Sequence, residues 1–158
     1  MPRWNGSCFT EGYPFGQPQP PHALKTLRTL VVEDNEINIK VASYLLAKLG
    51  HQADTALCGE DALKLCRSHH YHVILMDCHM PGIDGFETTA AIRKLELAAN
   101  IAPVYIVAVT ADVGNGSRER CLAAGMNDYL SKPLHLKEFE TVMERVASIA
   151  EENAFCSA

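Results

Sequence analysis

Long hydrophobic runs are missing from this sequence. No segment approaches the roughly 20 consecutive apolar residues that a membrane-spanning helix requires. The first residues also lack a basic stretch followed by an apolar one, which is the pattern of a secretory signal. We therefore expect a cytoplasmic domain that makes no membrane contact of its own, and leave open that a parent protein is attached to a membrane.

Cysteine and histidine motifs for metal binding are also lacking. The six cysteines include no CxxC pair and no recognisable zinc spacing, and His69, His70 and His72 fit a solvated turn better than a ligand set. Several cysteines lie in apolar periodic segments, where a reduced thiol packs as a small core residue. Cys78 has two interpretations, a packed thiol or a redox-sensitive one, because it follows an acid at a strand end.

Basic residues are too few and too scattered for a nucleic-acid surface. The 14 Lys and Arg stand against 19 Asp and Glu, and the net charge is -5. Because phosphate contacts need clustered bases, we expect no direct nucleic-acid partner. No glycine-rich phosphate loop follows the first apolar run, which argues against a nucleotide site.

What the sequence does contain divides it into three parts. Proline and glycine are frequent in residues 1–24, where no apolar period appears, and we interpret this segment as a disordered linker or tag. Residues 25–150 are periodic and long enough for one domain with a hydrophobic core. Residues 151–158 are predicted to be a frayed tail.

Within residues 25–150, runs of strand length alternate with helical patterns. The predicted strands are Leu27–Val32, His51–Ala56, Tyr71–Met76, Val104–Val109 and Asp128–Ser131, and the predicted helices are Glu36–Leu49, Gly59–Ser68, Phe86–Leu97, Asn115–Ala124 and Leu136–Ile149. The first helix is expected to bury one stripe, formed by Val41, Ala42, Leu45, Leu46 and Leu49. Strict alternation with short connections predicts an α/β fold of three layers, in which a five-stranded parallel sheet lies between five helices.

Polar residues stand where the predicted strands end. Glu33 and Asp34 follow the first strand, Asp77 the third, Thr110 the fourth and Lys132 the fifth. Because open parallel sheets bind ligands at this edge, we expect these side chains to converge. Carboxylates packed together repel unless a cation neutralises them, and Mg²⁺ (or Mn²⁺) prefers such oxygen ligands. With a base and a hydroxyl nearby, the cluster predicts a phosphoryl-transfer site whose acceptor is a carboxylate.

These residues occur in a specific combination. An acidic pair follows the first strand, Met-Asp-x-x-Met-Pro-x-x-Asp-Gly spans the end of the third, Thr-Ala follows the fourth and Lys-Pro the fifth. Over about residues 27–150 the chain resembles the receiver domain of two-component response regulators. The stretch Val-Val-Glu-Asp-Asn-Glu-Ile-Asn is most similar to receivers of hybrid sensor histidine kinases. The resemblance implies a flavodoxin-like sheet with strand order 2-1-3-4-5.

The resemblance also implies roles for the residues that match its motifs. Asp77 matches the phosphoacceptor, and Lys132 matches the lysine that contacts the phosphoryl group. Asp34 matches a direct ligand of Mg²⁺, and Glu33 matches an acid that acts through water. Asp77 and the backbone carbonyl of His79 complete the implied metal ligands.

Further residues match the switching parts of the family. Thr110 matches the hydroxyl that moves toward the phosphoryl group, Tyr129 the aromatic ring that follows it, and Pro133 a proline after a cis peptide bond. We hypothesise that the side chains of His79 and Asp112 flank the phosphoryl group and set its lifetime. Simpler alternatives are a turn hydroxyl for Thr110, a static half-buried ring for Tyr129 and a loop acid for Asp112.

Together these expectations describe a phosphoacceptor switch and not an enzyme. A histidine kinase or a histidine phosphotransfer domain would donate the phosphoryl group, and the chain would be the C-terminal receiver of a hybrid histidine kinase. Phosphorylation would change a surface on the fourth helix, fifth strand and last helix, and could produce a dimer; the partner would meet that surface or the one near the first helix. The alternatives are an unphosphorylated receiver-like interaction module and an aspartyl-phosphate phosphohydrolase, although His79 stands where such hydrolases carry a second acid.

Overall fold

The structure is a computed structural model that describes residues 26–112, 114 and 116–157. The predicted linker at residues 1–24 lies outside the described residues, as does Asn115, the predicted start of the fourth helix. The strands are β1 (Arg28–Val32), β2 (Gln52–Ala56), β3 (Val73–Asp77), β4 (Tyr105–Thr110) and β5 (Asp128–Ser131). The helices are α1 (Glu36–Lys48), α2 (Gly59–Ser68), α3 (Gly85–Ala99), α4 (Ser117–Ala123) and α5 (Leu136–Ser157).

The five strands form one parallel sheet in the order β2-β1-β3-β4-β5. This order and the five helices confirm the predicted α/β, flavodoxin-like fold. β3 is the central strand and all five of its residues are buried, which explains why its sequence is continuously apolar before Asp77. The register pairs Val32 with Met76 and Asp77 with Val109. Residues that follow β1 and β4 therefore lie beside the end of β3.

The sheet separates two hydrophobic clusters, which make the outer layers of the fold. One cluster joins the sheet to α1 and α5 through residues such as Leu46 and Phe139. The other joins it to α2, α3 and α4 through Ala62, Ile92 and Cys121. Alternate residues of each strand face one cluster or the other.

The prediction for α1 needs one correction. Ala42, Leu45 and Leu46 are buried as predicted, but Val41 is 42% exposed. Val41 belongs to a second apolar stripe with Ile37 and Tyr44, which lie on exposed positions. A helix that packs on one sheet face buries one stripe, so the second stripe remains in solvent.

Helix ends follow the local chemistry, with one further correction. Asp84 caps α3, accepting a hydrogen bond from the backbone N–H of Glu87, whose side chain in turn accepts one from the backbone N–H of Asp84. The last helix continues to Ser157, past its predicted end at Ile149. Residues 150–157 contain no glycine or proline to stop a helix, so the predicted frayed tail is helical through Ser157.

Two histidines hold the start of β1 at the edge of the sheet opposite Asp77. The backbone N–H of Leu27 donates to Nδ1 of His51 at 3.2 Å, and that of Arg28 donates to Nδ1 of His72 at 2.9 Å. Burial, and then the neighbouring His72, lower the pKa of His51. The neutral imidazole is therefore the form that binds this edge. Among the helices of the described residues, none has both the length and the apolar character needed to cross a membrane.

Candidate functional site

Three carboxylates meet at the carboxyl ends of β1 and β3. Asp77 is the last residue of β3 and is 3% exposed, and Glu33, directly after β1, is 5% exposed. One carboxylate oxygen from each of Glu33, Asp34 and Asp77 lies within 4.8 Å of the others. The parallel pairing of β1 with β3 produces this convergence, as the sequence predicted.

Asn35, and not Asp34, caps the first helix. The side chain of Asn35 accepts a hydrogen bond from the backbone N–H of Ile37 at 2.9 Å. The backbone N–H of Asn35 also donates to the Glu33 carboxylate at 3.2 Å, which orients that acid. Asp34 is exposed, so its carboxylate remains available to a ligand in the cluster.

Lys132 brings a positive charge to the carboxylates from β5. Its Nζ lies 2.8 Å from a carboxylate oxygen of Glu33 and 3.2 Å from one of Asp77. Partial burial alone would lower the pKa of Lys132, but the hydrogen bond to Glu33 and the charges of Asp77 and Glu33 outweigh it and raise this pKa. Lys132 is followed by a cis peptide bond to Pro133. The lysine therefore stays a cation beside Asp77.

The donor set suits a divalent cation. Three carboxylates and one ammonium leave two negative charges uncompensated at the cluster, and two of the three acids are buried. Buried like charges are costly unless a cation neutralises them. Mg²⁺ binds through one or two carboxylates and completes its shell with water and phosphate oxygens. The residues present therefore fit such an ion.

The loop after β3 is built closely around the Asp77 backbone. The backbone N–H of His79 donates to the Asp77 carboxylate at 3.2 Å. A Cβ at Gly85 would lie 2.3 Å from the backbone oxygen of Asp77, so only glycine fits there. The backbone N–H of Gly85 donates to the carbonyl of Cys78 at 3.2 Å. Asp84 and Gly85 thus shape the loop.

Thr110 and Tyr129 lie on the same face of the sheet. Thr110 is buried at the end of β4, and its hydroxyl oxygen accepts a hydrogen bond from the backbone N–H of Asp112 at 3.0 Å. Tyr129 pairs in register with Ala108 and packs against the cluster that faces α2, α3 and α4. Burial is the main cause that raises the pKa of Tyr129. The carboxylate of Asp112 accepts a hydrogen bond from the backbone N–H of Gly114 at 3.2 Å.

Two features of this edge have no signal in the sequence pattern. Cys78 and Cys121 are each 1% exposed, and their sulfur atoms lie 4.0 Å apart. They come from segments 43 residues apart in the chain, so no spacing rule finds them. A cavity of about 100 Å³ also opens between α1 and the segment after β5, with Val41, Lys132 and Leu134 in its lining.

A family model, that of the response regulator receiver domain, matches residues 29–144. The chain belongs to this family. The receiver is similar to Hybrid signal transduction histidine kinase B of Dictyostelium discoideum, with 43% identity over 118 residues that cover 70% of this chain and 6% of that protein. It is 33% identical to Probable histidine kinase 1 of Oryza sativa subsp. indica, over 146 residues that cover 75% of this chain and 15% of that protein. The receiver thus spans a small part of the curated relatives it matches.

Solved structures agree with this assignment. The receiver domain of the sensor histidine kinase PA1611 from Pseudomonas aeruginosa, which has a magnesium ion coordinated in its active site cleft, is 37% identical with a TM-score of 0.69, over 78% of this chain and 99% of that one. A complex of the Saccharomyces cerevisiae histidine phosphotransfer protein Ypd1 with the receiver domain of the response regulator Ssk1 matches at 30% identity and a TM-score of 0.75, over 79% of this chain and 91% of the matched chain. The resemblance to receivers of hybrid histidine kinases is confirmed.

Proposed function

We propose that this receiver accepts a phosphoryl group on Asp77 from the phosphohistidine of a histidine kinase or a histidine phosphotransfer domain. The P–N bond to the donor histidine breaks while a P–O bond forms to the Asp77 carboxylate. The position of Asp77 carries the proposal, since its carboxylate lies within 4.8 Å of those of Glu33 and Asp34 and 3.2 Å from the ammonium of Lys132. A carboxylate held this way can act as nucleophile, and the adjacent cation can neutralise the incoming phosphoryl oxygens.

Mg²⁺ is the metal that this donor set favours, and Mn²⁺ can replace it. Asp34, Asp77 and the backbone carbonyl of His79 would hold the ion, with Glu33 acting through water. When bound, the ion supplies charge neutralisation of the transferring group. Support comes from the acidic cluster of this chain and from the magnesium ion in the cleft of the PA1611 receiver.

The switch would run from Thr110 to Tyr129. The Thr110 hydroxyl leaves the backbone N–H of Asp112 and turns toward the phosphoryl oxygens, and Tyr129 moves into the space that it vacates. Both residues lie on the face covered by α2, α3 and α4. Small shifts in a packed site can move a two-state surface, here formed by α4, β5 and α5. The output is a protein interaction, which can include a phosphorylation-dependent dimer, so we regard the domain as a switch and not as an enzyme.

His79 and Asp112 would set the phosphoryl lifetime. Both side chains are exposed, and both line a small cavity whose lining also includes Thr110. From these positions the two side chains can block or orient the water that attacks the aspartyl phosphate. Ala at both positions is expected to change the rate of autodephosphorylation, measured by loss of label from Asp77; an unchanged rate counts against the hypothesis.

The exposed stripe of α1 is the surface we assign to the phosphohistidine donor. Ile37, Val41 and Tyr44 present apolar side chains to solvent beside the 100 Å³ cavity that reaches Lys132. The cavity is lined by both Val41 and Lys132, and Lys132 lies 3.2 Å from Asp77, so a partner seated on the stripe would have its histidine near the proposed phosphoacceptor. The complex of the Ssk1 receiver with the phosphotransfer protein Ypd1 shows that another member of the family binds such a partner.

The deciding experiment is phosphorylation with a small donor and with a phosphorylated histidine phosphotransfer protein. We expect Mg²⁺-dependent labelling by both, and its complete loss in Asp77→Asn. The matched control is Asp61→Asn, an exposed acid at the start of α2, which should label at the normal rate. Labelling of Asp77→Asn would contradict the proposal, and an unlabelled but folded receiver would support an interaction module that is not phosphorylated.

A further inference from the structure

The contact between Cys78 and Cys121 joins two parts of the fold that the proposed switch must move relative to one another. Cys78 directly follows Asp77 in the loop after β3, and Cys121 lies on α4. Their sulfur atoms are 4.0 Å apart, which is van der Waals contact, and both residues are 1% exposed. A disulfide needs an S–S separation of about 2 Å, so α4 would have to move toward the loop by roughly 2 Å.

Helix α4 is short and buries few of its residues. It has seven residues, and only Ser117 and Cys121 among them are buried. Its N-cap is Gly116, with φ +87°, and glycine has no side chain with which to cap the helix start. Helices this short are unstable alone and depend on tertiary contacts. The Cys121 thiol beside Cys78 is therefore one attachment of α4 to the rest of the domain, and the Arg120 guanidinium over the Phe86 ring, 5.1 Å from its centroid, is another.

The cysteine pair also borders the proposed switch. A cavity of about 10 Å³ has Cys78, Cys121 and Thr110 in its lining, with the exposed His79 and Asp112 at its border. A cavity of this size holds at most one water. An oxidant larger than water therefore reaches the sulfur atoms when α4 moves outward, and the rate of oxidation follows the opening of that helix.

We propose that Cys78 and Cys121 form a redox-dependent disulfide that fixes α4 to the phosphoacceptor loop. With a peroxide as oxidant, one thiol attacks the O–O bond to give a sulfenic acid and water, and the second thiol displaces a second water as the S–S bond forms. Two S–H bonds and one O–O bond are lost, the sulfur atoms are oxidised and the peroxide is reduced to two waters. A reducing thiol reverses the reaction.

Fixing α4 would uncouple phosphorylation from output. This part of the inference rests on the proposed function, because it assumes that a phosphoryl group on Asp77 shifts the surface formed by α4, β5 and α5. The disulfide leaves Glu33, Asp34 and Lys132 unchanged, so the receiver can still be phosphorylated. The surface that reports phosphorylation is then unable to move.

The test begins with hydrogen peroxide added to the reduced full chain and to a variant in which Cys8, Cys58, Cys66 and Cys156 are all Ser. We expect both to lose two hydrogen atoms in intact mass, and peptide mapping to join the segment containing Cys78 to that containing Cys121. Cys121→Ala and Cys78→Ala are the paired controls and should not form this link. Absence of the link, or preferential pairing of other cysteines in the full chain, overturns the proposal.

Hydrogen exchange then tests the mechanical consequence without any phosphorylation. Amides of α4 should exchange at least about tenfold more slowly in the oxidised than in the reduced protein, because the cross-link restricts local opening. Unchanged exchange in a protein with the mapped link would overturn the claim that the disulfide fixes α4.

Phosphorylation is the last readout. Acetyl phosphate should change exchange at α4 in the reduced protein and leave it unchanged in the oxidised one, with equal labelling of Asp77. If the reduced protein takes no label, the proposed function fails, while the mapped link and the slowed exchange still decide whether the disulfide exists and acts. Equal changes in both redox forms overturn the regulatory claim alone.

Discussion

Lys132 lies 3.2 Å from Asp77, although β3 and β5 are not neighbours in the sheet. β4 separates these strands and ends at Thr110, whose backbone carbonyl accepts a hydrogen bond of 2.8 Å from the backbone N–H of Lys132. This hydrogen bond fixes the backbone of Lys132 to the end of β4, from which its side chain reaches Asp77. The site depends on the order of three strands and not on one motif.

Replacing Lys132 with Ala should weaken both stability and phosphorylation. The change leaves Glu33 and Asp77 buried without their cation, so we expect the free energy of unfolding in metal-free buffer to fall by about 1.5–3 kcal/mol. Mg²⁺ should restore part of this loss because it neutralises the same acids. Urea denaturation with and without Mg²⁺ measures the effect. Lys137→Ala, an exposed lysine on α5, is the control and should match the wild type.

Replacing Asp34 with Asn or Glu33 with Gln should weaken Mg²⁺ binding while the fold is kept. Each variant removes a negative charge from the acidic cluster, and we expect affinity to fall about tenfold or more, measured by isothermal titration. At a Mg²⁺ concentration that saturates the wild-type protein, the increase in unfolding free energy caused by Mg²⁺ should be smaller in the variants, because a weaker ligand stabilises the folded state less. Glu36→Gln, an exposed acid in the first turn of α1, is the comparison. Equal affinities in all of these proteins would remove the metal role from the acidic pair.

Gly85→Ala should distort the loop between Asp77 and the start of α3. The new Cβ would meet the backbone oxygen of Asp77 at 2.3 Å, and relieving that overlap is expected to cost about 1–3 kcal/mol of stability and to slow labelling of Asp77. Gly50→Ala is a useful contrast, because no atom lies within 4 Å of its Cβ and only its φ of +85° opposes the side chain. It should lose stability but keep the labelling rate. If both variants label normally, the loop tolerates the overlap.

Acid should destabilise the receiver through His51. Its folded-state pKa lies below the ordinary 6.5, since burial and His72 oppose the charged form. The unfolded chain therefore binds more protons, so this contribution is complete above pH 6.5 and is lost as pH falls through the folded-state pKa. Two charged side chains also belong to this region: Arg28, whose backbone N–H donates to His72, and Asp54, which pairs with the Arg28 guanidinium at 3.5 Å.

The comparison that isolates this effect is His51→Asn, which keeps an acceptor for the backbone N–H of Leu27 but does not titrate. Between pH 7 and pH 5 its unfolding free energy should fall less than that of the wild type, by about 1 kcal/mol, the value of one hydrogen bond. His70→Asn changes an exposed histidine and should follow the wild type. Parallel curves for all three proteins would assign the acid sensitivity to other groups.

The sequence predicts the fold and the acidic site for the same physical reason. Parallel strands bring their carboxyl ends to one edge, so knowing that Glu33, Asp77 and Lys132 end strands is enough to bring them together. The sequence does not predict burial that depends on partners elsewhere in the chain. Glu96 is a polar residue of α3, yet it is buried. Its carboxylate accepts a hydrogen bond from the backbone N–H of Val104 at 2.6 Å and pairs with Arg93 at 2.7 Å.

The two apolar stripes of α1 show a second kind of limit. Periodicity identifies Val41 and Leu45 equally well as apolar, and only the orientation of the helix on the sheet decides that Leu45 is buried and Val41 is exposed. The contact between Cys78 and Cys121 cannot be predicted from the sequence for a third reason. Neither residue belongs to a cysteine motif of the kind that indicates a metal site or a redox pair.

The sheet has a consequence for how such domains can diverge. The exposed stripe of α1 lies in one outer layer, whereas Thr110 and Tyr129 face the other, with five strands between them. If the proposed donor surface and relay are correct, substitutions at Ile37 or Tyr44 would alter recognition of a donor without altering the relay. A duplicated copy of this receiver could be rewired to a new donor by a few surface changes on α1, while the proposed relay from Thr110 to Tyr129 in the opposite layer stayed as it was.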